Sequence, residues 1–197
     1  MKYLLLTLLL ISCGVESPKR TTSPTPTPEI PDTPSVNYCD SANLTGIFAD
    51  GDGTVSSPYK ICTASQFLNI KNYLSAYFSL ETDIDFSDLQ FSKMSDNIYP
   101  FTGNFDGNSF TLSNISLINN NSSYASIFGY CQSGSISNLN ISDMSLISSG
   151  NYVGSLIGYS QNCTVSYINL LNSTIVGVTE VGGVFGRVEN SSSMLSG

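Results

Sequence analysis

The apolar positions in the second half of the chain come in runs of two to five residues, separated by turns, and the runs return at a fixed interval. Tyr124-Ala-Ser-Ile-Phe-Gly-Tyr, Tyr152-Val-Gly-Ser-Leu-Ile-Gly-Tyr and Glu180-Val-Gly-Gly-Val-Phe-Gly-Arg share one register. Gly129, Gly158 and Gly186 lie 29 and 28 residues apart, each behind an apolar pair. Ile136-Ser-Asn-Leu-Asn-Ile and Val165-Ser-Tyr-Ile-Asn-Leu repeat 29 residues apart as well. A fixed period of this size specifies stacked repeats before any single residue does.

Runs this short, in a coil longer than one helix–strand unit, fit a β-helix turn with three faces better than a sandwich. Alternation from Phe101 to Leu117 is broken by Gly and Asn, the residues that tolerate positive φ at corners. Upstream, Gly51-Asp-Gly-Thr54 predicts a turn, and Pro58–Cys62 and Leu80–Phe86 predict short strands. Thr63 precedes Gln66 at capping-box spacing, and Phe67, Ile70, Leu74 and Phe78 fall mainly three or four apart. This predicts one amphipathic helix over residues 64–76. Such a helix covers the first rung, which otherwise exposes unpaired backbone and apolar surface. The fold class expected is mainly β, a parallel β-helix of about 28–29 residues per turn with a short N-terminal capping helix.

The chain opens differently. Lys2 is followed by an apolar run, Leu4 to Ile11, too short to span a bilayer, so residues 1–12 read as a secretory signal outside the fold. The run ends in Leu10-Ile11-Ser12-Cys13, which resembles the bacterial lipobox. That resemblance implies a lipid-modified Cys13 as the first mature residue, and several acyl chains anchor a protein durably. Gly14, where an Asp would hold such a protein at the inner membrane, implies an outer-membrane or cell-surface address. An ordinary cleaved signal is the alternative. Residues 13–37 carry six of the eight prolines among Thr and Ser, which favours an extended tether over a packed segment. Lys19 and Arg20 sit near its lipid end.

The remaining residues suffice for one domain, read as a capping region over 38–95 and repeats over 96–197. A formal net charge of −8 argues against nucleic acid as a partner. The absence of histidine removes the usual base of a Ser or Cys nucleophile and any histidine metal ligand, and no cofactor is expected. Cys39, Cys62, Cys131 and Cys163 allow three pairings. Cys39 with Cys62 and Cys131 with Cys163 is favoured, since Cys163 corresponds to position 134 one turn earlier; four free thiols is the alternative.

Tyr152-Val-Gly-Ser-Leu-Ile-Gly-Tyr followed by Thr164-Val-Ser-Tyr-Ile-Asn-Leu resembles the GLUG repeat of bacterial surface proteins, which include filamentous adhesins and non-catalytic portions of some immunoglobulin A proteases. Ile61-Cys-Thr-Ala-Ser-Gln-Phe-Leu, Tyr77 to Asp85 and Phe101 to Asn108 are similar to the capping and first turns before such repeats. The resemblance covers roughly residues 50–197 and implies a right-handed parallel β-helix. The family's Gly-Gly pair is Ala125-Ser126, then Gly154-Ser155, and intact only at Gly182-Gly183.

Three groups of residues offer chemistry. Asp83 and Asp85, with Asp88 nearby, share a strand face where calcium or acid–base work is conceivable, but no acid partner can be assigned. The resemblance places them in a capping turn, with oxygens spent on backbone amides. Asp50-Gly-Asp52-Gly-Thr54 imitates an EF-hand opening, yet Val55 and Ile61 stand where that loop needs glycine and glutamate. Tyr124, Tyr130, Tyr152, Tyr159 and Tyr167 recur around the glycine corners and are the candidate ligand-binding ladder, for sugar rings or a protein partner, against a reading as stacked rungs alone. Asn-x-Ser/Thr motifs at Asn114, Asn121 and Asn172 read as corner composition.

The last copy stops partway through a strand at Gly197, as expected of a piece of a longer surface protein or of a rung covered by another subunit. No catalysis is expected. The leading expectation is a lipid-anchored bacterial surface protein with a structural or adhesive β-helix, its partners the membrane and a surface glycan or protein. The alternatives are a carbohydrate-binding or polysaccharide-processing β-helix, and the non-catalytic stalk of a larger surface protease.

Overall fold

In the computed structural model, which describes residues 36–119, 123–190 and 192–194, the chain folds as a parallel β-solenoid. Its strands are β1 (Tyr59–Ile61), β2 (Tyr77–Leu80), β3 (Ile84–Asp85), β4 (Asn104–Asp106), β5 (Thr111–Ser113), β6 (Ser116–Asn119), β7 (Tyr130–Gln132), β8 (Ser135–Ser142), β9 (Ser145–Ser148), β10 (Asn151–Val153), β11 (Ile157–Gln161), β12 (Thr164–Leu171), β13 (Thr174–Val176), β14 (Thr179–Val181), β15 (Phe185–Glu189) and β16 (Ser192–Met194). The principal sheet runs β1-β2-β4-β8-β12-β16, with β3 and β5 joining it alongside β8. Smaller sheets β6-β9-β13, β7-β11-β15 and β10-β14 complete the circumference. Every pairing between these strands is parallel.

Register turns the repeat into columns. Phe78 pairs with Phe105, Phe105 with Ile136 and Ile136 with Val165. Ile84, Leu112, Ile141 and Leu170 make a second column, and Leu117, Leu146 and Ile175 a third. These side chains point inward and form one continuous apolar cluster. Burial of this kind is the main favourable term, worth about 1.5–3 kcal/mol for each fully buried large side chain. Cys39 is disulfide-bonded to Cys62, and Cys131 to Cys163. Cys13 lies outside the described residues.

The first rung is sealed in two ways. Ala49 and Asp50 pair antiparallel with Lys60, Ala49 N donating to Lys60 O and Lys60 N to Asp50 O, which occupies the outer edge of β1. Helix α1 (Ala64–Leu68) then places Phe67 in ring contact with Phe86, Phe91, Phe105 and Phe128. Thr63 is its N-cap, its hydroxyl accepting from Gln66 N, while Gln66 Oε1 accepts from Cys62 N. The helix is shorter than the 64–76 predicted. After Leu68 the chain tightens into a 3-10 turn, Asn69–Asn72, and then leaves the helical path. The cause is tertiary: Leu74 O accepts from Thr102 N and Gly103 N, and Ala76 O from Asn104 N, so both carbonyls belong to the next rung. A periodic apolar pattern cannot report that competition.

Corners hold another difference. Only one of the three register glycines, Gly129, has positive φ (+52°). At that corner the left-handed conformation recurs instead at Tyr124 (63°), Tyr152 (62°) and Glu180 (50°). Asn114, Asp143 and Asn172 form a second left-handed column, and Ser133, Asn162 and Asn190 a third. Gly158 is required by close approach: a Cβ there would stand 2.5 Å from Tyr152 O and 2.6 Å from Tyr124 Cα.

Two substitutions separate these effects. Gly158→Ala drives a methyl into backbone and is expected to lower stability by about 1–3 kcal/mol. Tyr167 is exposed with φ 54°, in register with Asn138 (φ 53°), whose amide donates to Asp106 Oδ1 at 3.0 Å. Tyr167→Asn is expected to raise stability by up to about 1 kcal/mol, because asparagine tolerates the left-handed region. Thermal melting of both variants beside the parent decides the matter; equal melting temperatures would contradict it.

Candidate functional site

Four of the five candidate tyrosines come together on one outer corner. Tyr130 and Tyr159 are register partners on β7 and β11, with parallel rings whose centroids are 4.9 Å apart. Tyr124 and Tyr152 stack likewise at 5.2 Å. Within each turn the two columns meet edge to face, Tyr124 with Tyr130 at 5.5 Å and Tyr152 with Tyr159 at 5.3 Å. Offset and T-shaped geometries of this kind contribute about 0.5–1.5 kcal/mol per pair beyond burial. Tyr167 stands apart, exposed on β12, with no ring contact to the four among the described residues.

The third copy replaces the aromatic pair by an ion pair. Arg187 takes the register position of Tyr159, and Glu180 lies 28 residues after Tyr152 with the same left-handed backbone. Arg187 bridges to Glu180 at 3.1 Å and to Glu189 at 2.5 Å, and its guanidinium lies 5.5 Å from the Tyr159 ring centroid. At the other end Lys93 Nζ sits 5.6 Å from the Tyr124 centroid and donates to Ser123 O at 3.0 Å. Each column is therefore flanked by a cation. Tyr159 lies between Tyr130 on the preceding turn and Arg187 on the next, so the ring faces a stacked sugar would need are covered by neighbours. Sequence reading selected the tyrosines and passed over Lys93, Arg187 and Glu189. Arg187 was marked by the repeat itself, since it ends the third copy where tyrosine ends the first two.

Electrostatics follow the contacts. A hydrogen bond to Glu189, with burial adding to it, pushes the Tyr159 hydroxyl up to about 12. The same bond, then that from Arg187, holds Glu189 below the ordinary carboxylate range. Tyr130 OH donates to Gln161 Oε1 at 3.0 Å, and burial raises both Tyr124 and Tyr130.

The acidic candidates are spent on turns. Asp83 Oδ1 accepts from Thr111 N at 2.7 Å; Asp85 Oδ1 accepts from Ser87 N and Asn114 Nδ2, both at 2.9 Å. Those bonds, that from Asn114 first, lower Asp85 below the usual carboxylate range. Asp52 Oδ1 holds Thr54 N and Oγ1, which lowers it too. Among the described residues no three His, Cys, Asp or Glu side chains are grouped to hold a metal ion.

No protein-family model matches the chain. It is 30% identical over 115 residues to a protein of Evansella cellulosilytica provisionally named a Gly-rich membrane protein, and 35% identical over 109 residues to halomucin of Haloquadratum walsbyi. These matches take in 54% and 51% of this chain but only 13% and 1% of those much longer proteins. Among solved structures it resembles a Bacteroides ovatus chain provisionally designated an immunoglobulin A1 protease, with a TM-score of 0.55 and 20% identity over 76% of this chain and 68% of that one. At that identity the likeness establishes a common fold.

The Tyr159–Glu189 bond has a signed pH dependence. A phenol raised in the folded state contributes stability that is complete below its unfolded value, about 10, and is lost as pH rises through about 12. The depressed Glu189 contributes stability that is lost as pH falls through the carboxylate range. Titration by NMR of ring-labelled tyrosine should show Tyr159 ionising near 12 in the parent and moving down toward 10 in Glu189→Gln. An unchanged titration in the variant would remove Glu189 as the cause.

Proposed function

We propose that the chain is a non-catalytic solenoid module of an exported surface protein, serving as a stalk that holds other parts of that protein or its ligands away from a membrane. The observation that carries this reading is the parallel pairing that continues through the principal sheet from Tyr59 to Met194 around one apolar interior, with the carboxylates of Asp52, Asp83 and Asp85 committed to turns. Six strands along the principal sheet give a rise of roughly 24 Å at the usual strand spacing. The stacked tyrosines form an outer spine that joins the turns at a corner where the β10-β14 sheet is narrow.

Around this module the domain plan is a signal over residues 1–12, a lipid-bearing Cys13, a tether over 13–37, a capping region over 38–95 and GLUG-like repeats over 96–197. The names of the relatives support a surface setting: a membrane protein, a halomucin, and an immunoglobulin A1 protease whose solved chain shares the fold. A stalk beside a larger catalytic or adhesive part accommodates all three, and an outer-membrane or cell-surface position follows from the anchor.

Expression of the full chain with an epitope after Gly197, in cells fed a labelled fatty acid, tests both halves. The parent is expected to carry label, to stay with the membrane fraction and to show its epitope to antibody on intact cells. Cys13→Ala is expected to lose label and enter the soluble fraction, while deletion of residues 50–190 keeps the label and loses the surface epitope signal. A parent that is unlabelled and soluble overturns the anchor; a deletion that leaves the epitope equally accessible overturns the stalk.

A further inference from the structure

The solenoid repeat is broken where the chain runs from Ser95 to Phe101. Ser95 Oγ bonds to Phe128 O and Tyr130 O, and Phe101 bridges to Cys131. The chain takes six residues from Ser95 to Phe101 where the next turn takes three from Phe128 to Cys131. The surplus bulges outward as Asp96–Pro100. It is a tied loop: Asp96 Oδ1 accepts from Ile98 N at 2.9 Å and Tyr99 N at 3.0 Å, and Asp96 N donates to Tyr99 O. This turn holds Ile98 71% and Tyr99 69% exposed, so two large apolar side chains are displayed on a fixed support.

Beside the bulge lie two clefts, of about 390 Å³ and 450 Å³, that share Asn72, Leu74 and Tyr99 as walls. Both volumes fall in the range of small-ligand sites. The first also has Lys71, Lys93 and Asp96 on its lining, and the second has Ser75 and Thr102. Of the described cations, Lys60 is paired with Glu81 and Arg187 with Glu180 and Glu189. Lys71 and Lys93 make no carboxylate pair among the described residues, and both line the same cleft. Lys93 donates to Ser123 O and lies over the Tyr124 ring, so Lys71 is the more open cation and Lys93 adds positive charge beside it. Asp96 is the one carboxylate on that lining; its Oδ1 is shared by two backbone amides and its charge acts on Lys93, which leaves Lys71 as the cation without a carboxylate beside it among the described contacts. In a chain of net charge −8 this is a local site for an anion.

Tyr99 supplies what Tyr124 and Tyr159 lack, a ring with no aromatic neighbour among the described contacts and most of its surface open. An exposed ammonium for a carboxylate, an open aromatic for the apolar face of a pyranose, and amide and hydroxyl groups beyond it match a carboxylated sugar in an extended chain. We propose that this cleft binds an acidic polysaccharide, with a uronate carboxylate at the exposed Lys71 and its ring against Tyr99. The proposal does not rest on the stalk reading; a stalk with no ligand and a ligand site on a module of another role are both distinguishable from it.

The test is calorimetric titration of the full chain in detergent with a polygalacturonate hexamer, its carboxyl-reduced neutral counterpart, and an oligoglutamate peptide. The hexamer is expected to bind, more weakly at high salt, and the other two to show no binding. Lys71→Gln and Tyr99→Ala are each expected to weaken binding about tenfold or more, in line with loss of a charge-assisted contact. Both residues are exposed, and unchanged melting temperatures will show that the variants fold. Absence of hexamer binding, equal binding of the neutral counterpart, equal binding of oligoglutamate, or full binding in both folded variants would each overturn the proposal.

Discussion

Axial register is the constraint on which the rest depends. In a parallel solenoid each side chain has its own copies, one turn earlier and later, as nearest neighbours, so a choice at one position is answered by the same position in the next coil. Inward columns such as Phe78–Phe105–Ile136–Val165 therefore stay apolar throughout. Outward columns face the opposite restriction, because like charges directly opposite one another in a ladder repel. Charged residues make up only 11% of the chain against about a quarter in ordinary domains, and its outer surface is built instead from Ser, Thr, Asn and Tyr. Asn169 Nδ2 donating to Asn140 Oδ1 at 2.8 Å shows how a neutral polar residue satisfies its own copy.

The tyrosine corner is the aromatic version of that answer. Two rings stacked on their own repeats and packed edge to face with their neighbours gain from every contact that register imposes. The gain needs no ligand, which is why a ladder of exposed-looking aromatics in a repeat sequence supports two readings until the ring planes are known. The substitution of Glu180 and Arg187 in the third copy keeps the corner closed by charge where aromatic contact ends. Arg187 serves both orders, stacking on Tyr159 and bridging to Glu180 and Glu189.

Periodicity made the architecture legible, because the spacing that identifies the copies is also the spacing that pairs them: Ile136 with Val165, Ile157 with Phe185. The capping helix was legible at its start, where Thr63 and Gln66 act locally, and illegible at its end, where Leu74 and Ala76 lose their carbonyls to the next rung, almost thirty residues away. Corner conformation was legible where asparagine carries it, at Asn114, Asn162 and Asn172, and misplaced at the glycine corner. Glycine is the usual bearer of positive φ, but Tyr124, Tyr152 and Glu180 bear it here while Gly158 meets a steric demand from the coils beside it. Of the candidate site, the tyrosine columns could be read from the repeat, whereas the partners that decide their chemistry, Lys93 and Glu189, come from outside the matched motif.

Repetition also limits where a binding site can arise. A recognition site needs unlike groups close together, a cation beside an aromatic beside an amide, and a column of copies supplies only like groups. Such a site must be assembled where the repeat is interrupted, as it is between Ser95 and Phe101. There the chain departs from the ladder, Asp96 stabilises the departure by accepting two backbone amides, and side chains from the 3-10 turn and from the preceding loop reach a common cleft. The regular coils hold those two segments at a fixed distance, so the scaffold contributes rigidity and the interruption contributes chemistry. Lys71 and Lys93 are far apart in sequence role, one on a capping turn and one in an irregular loop, and only the closing of a solenoid turn brings them to the same wall.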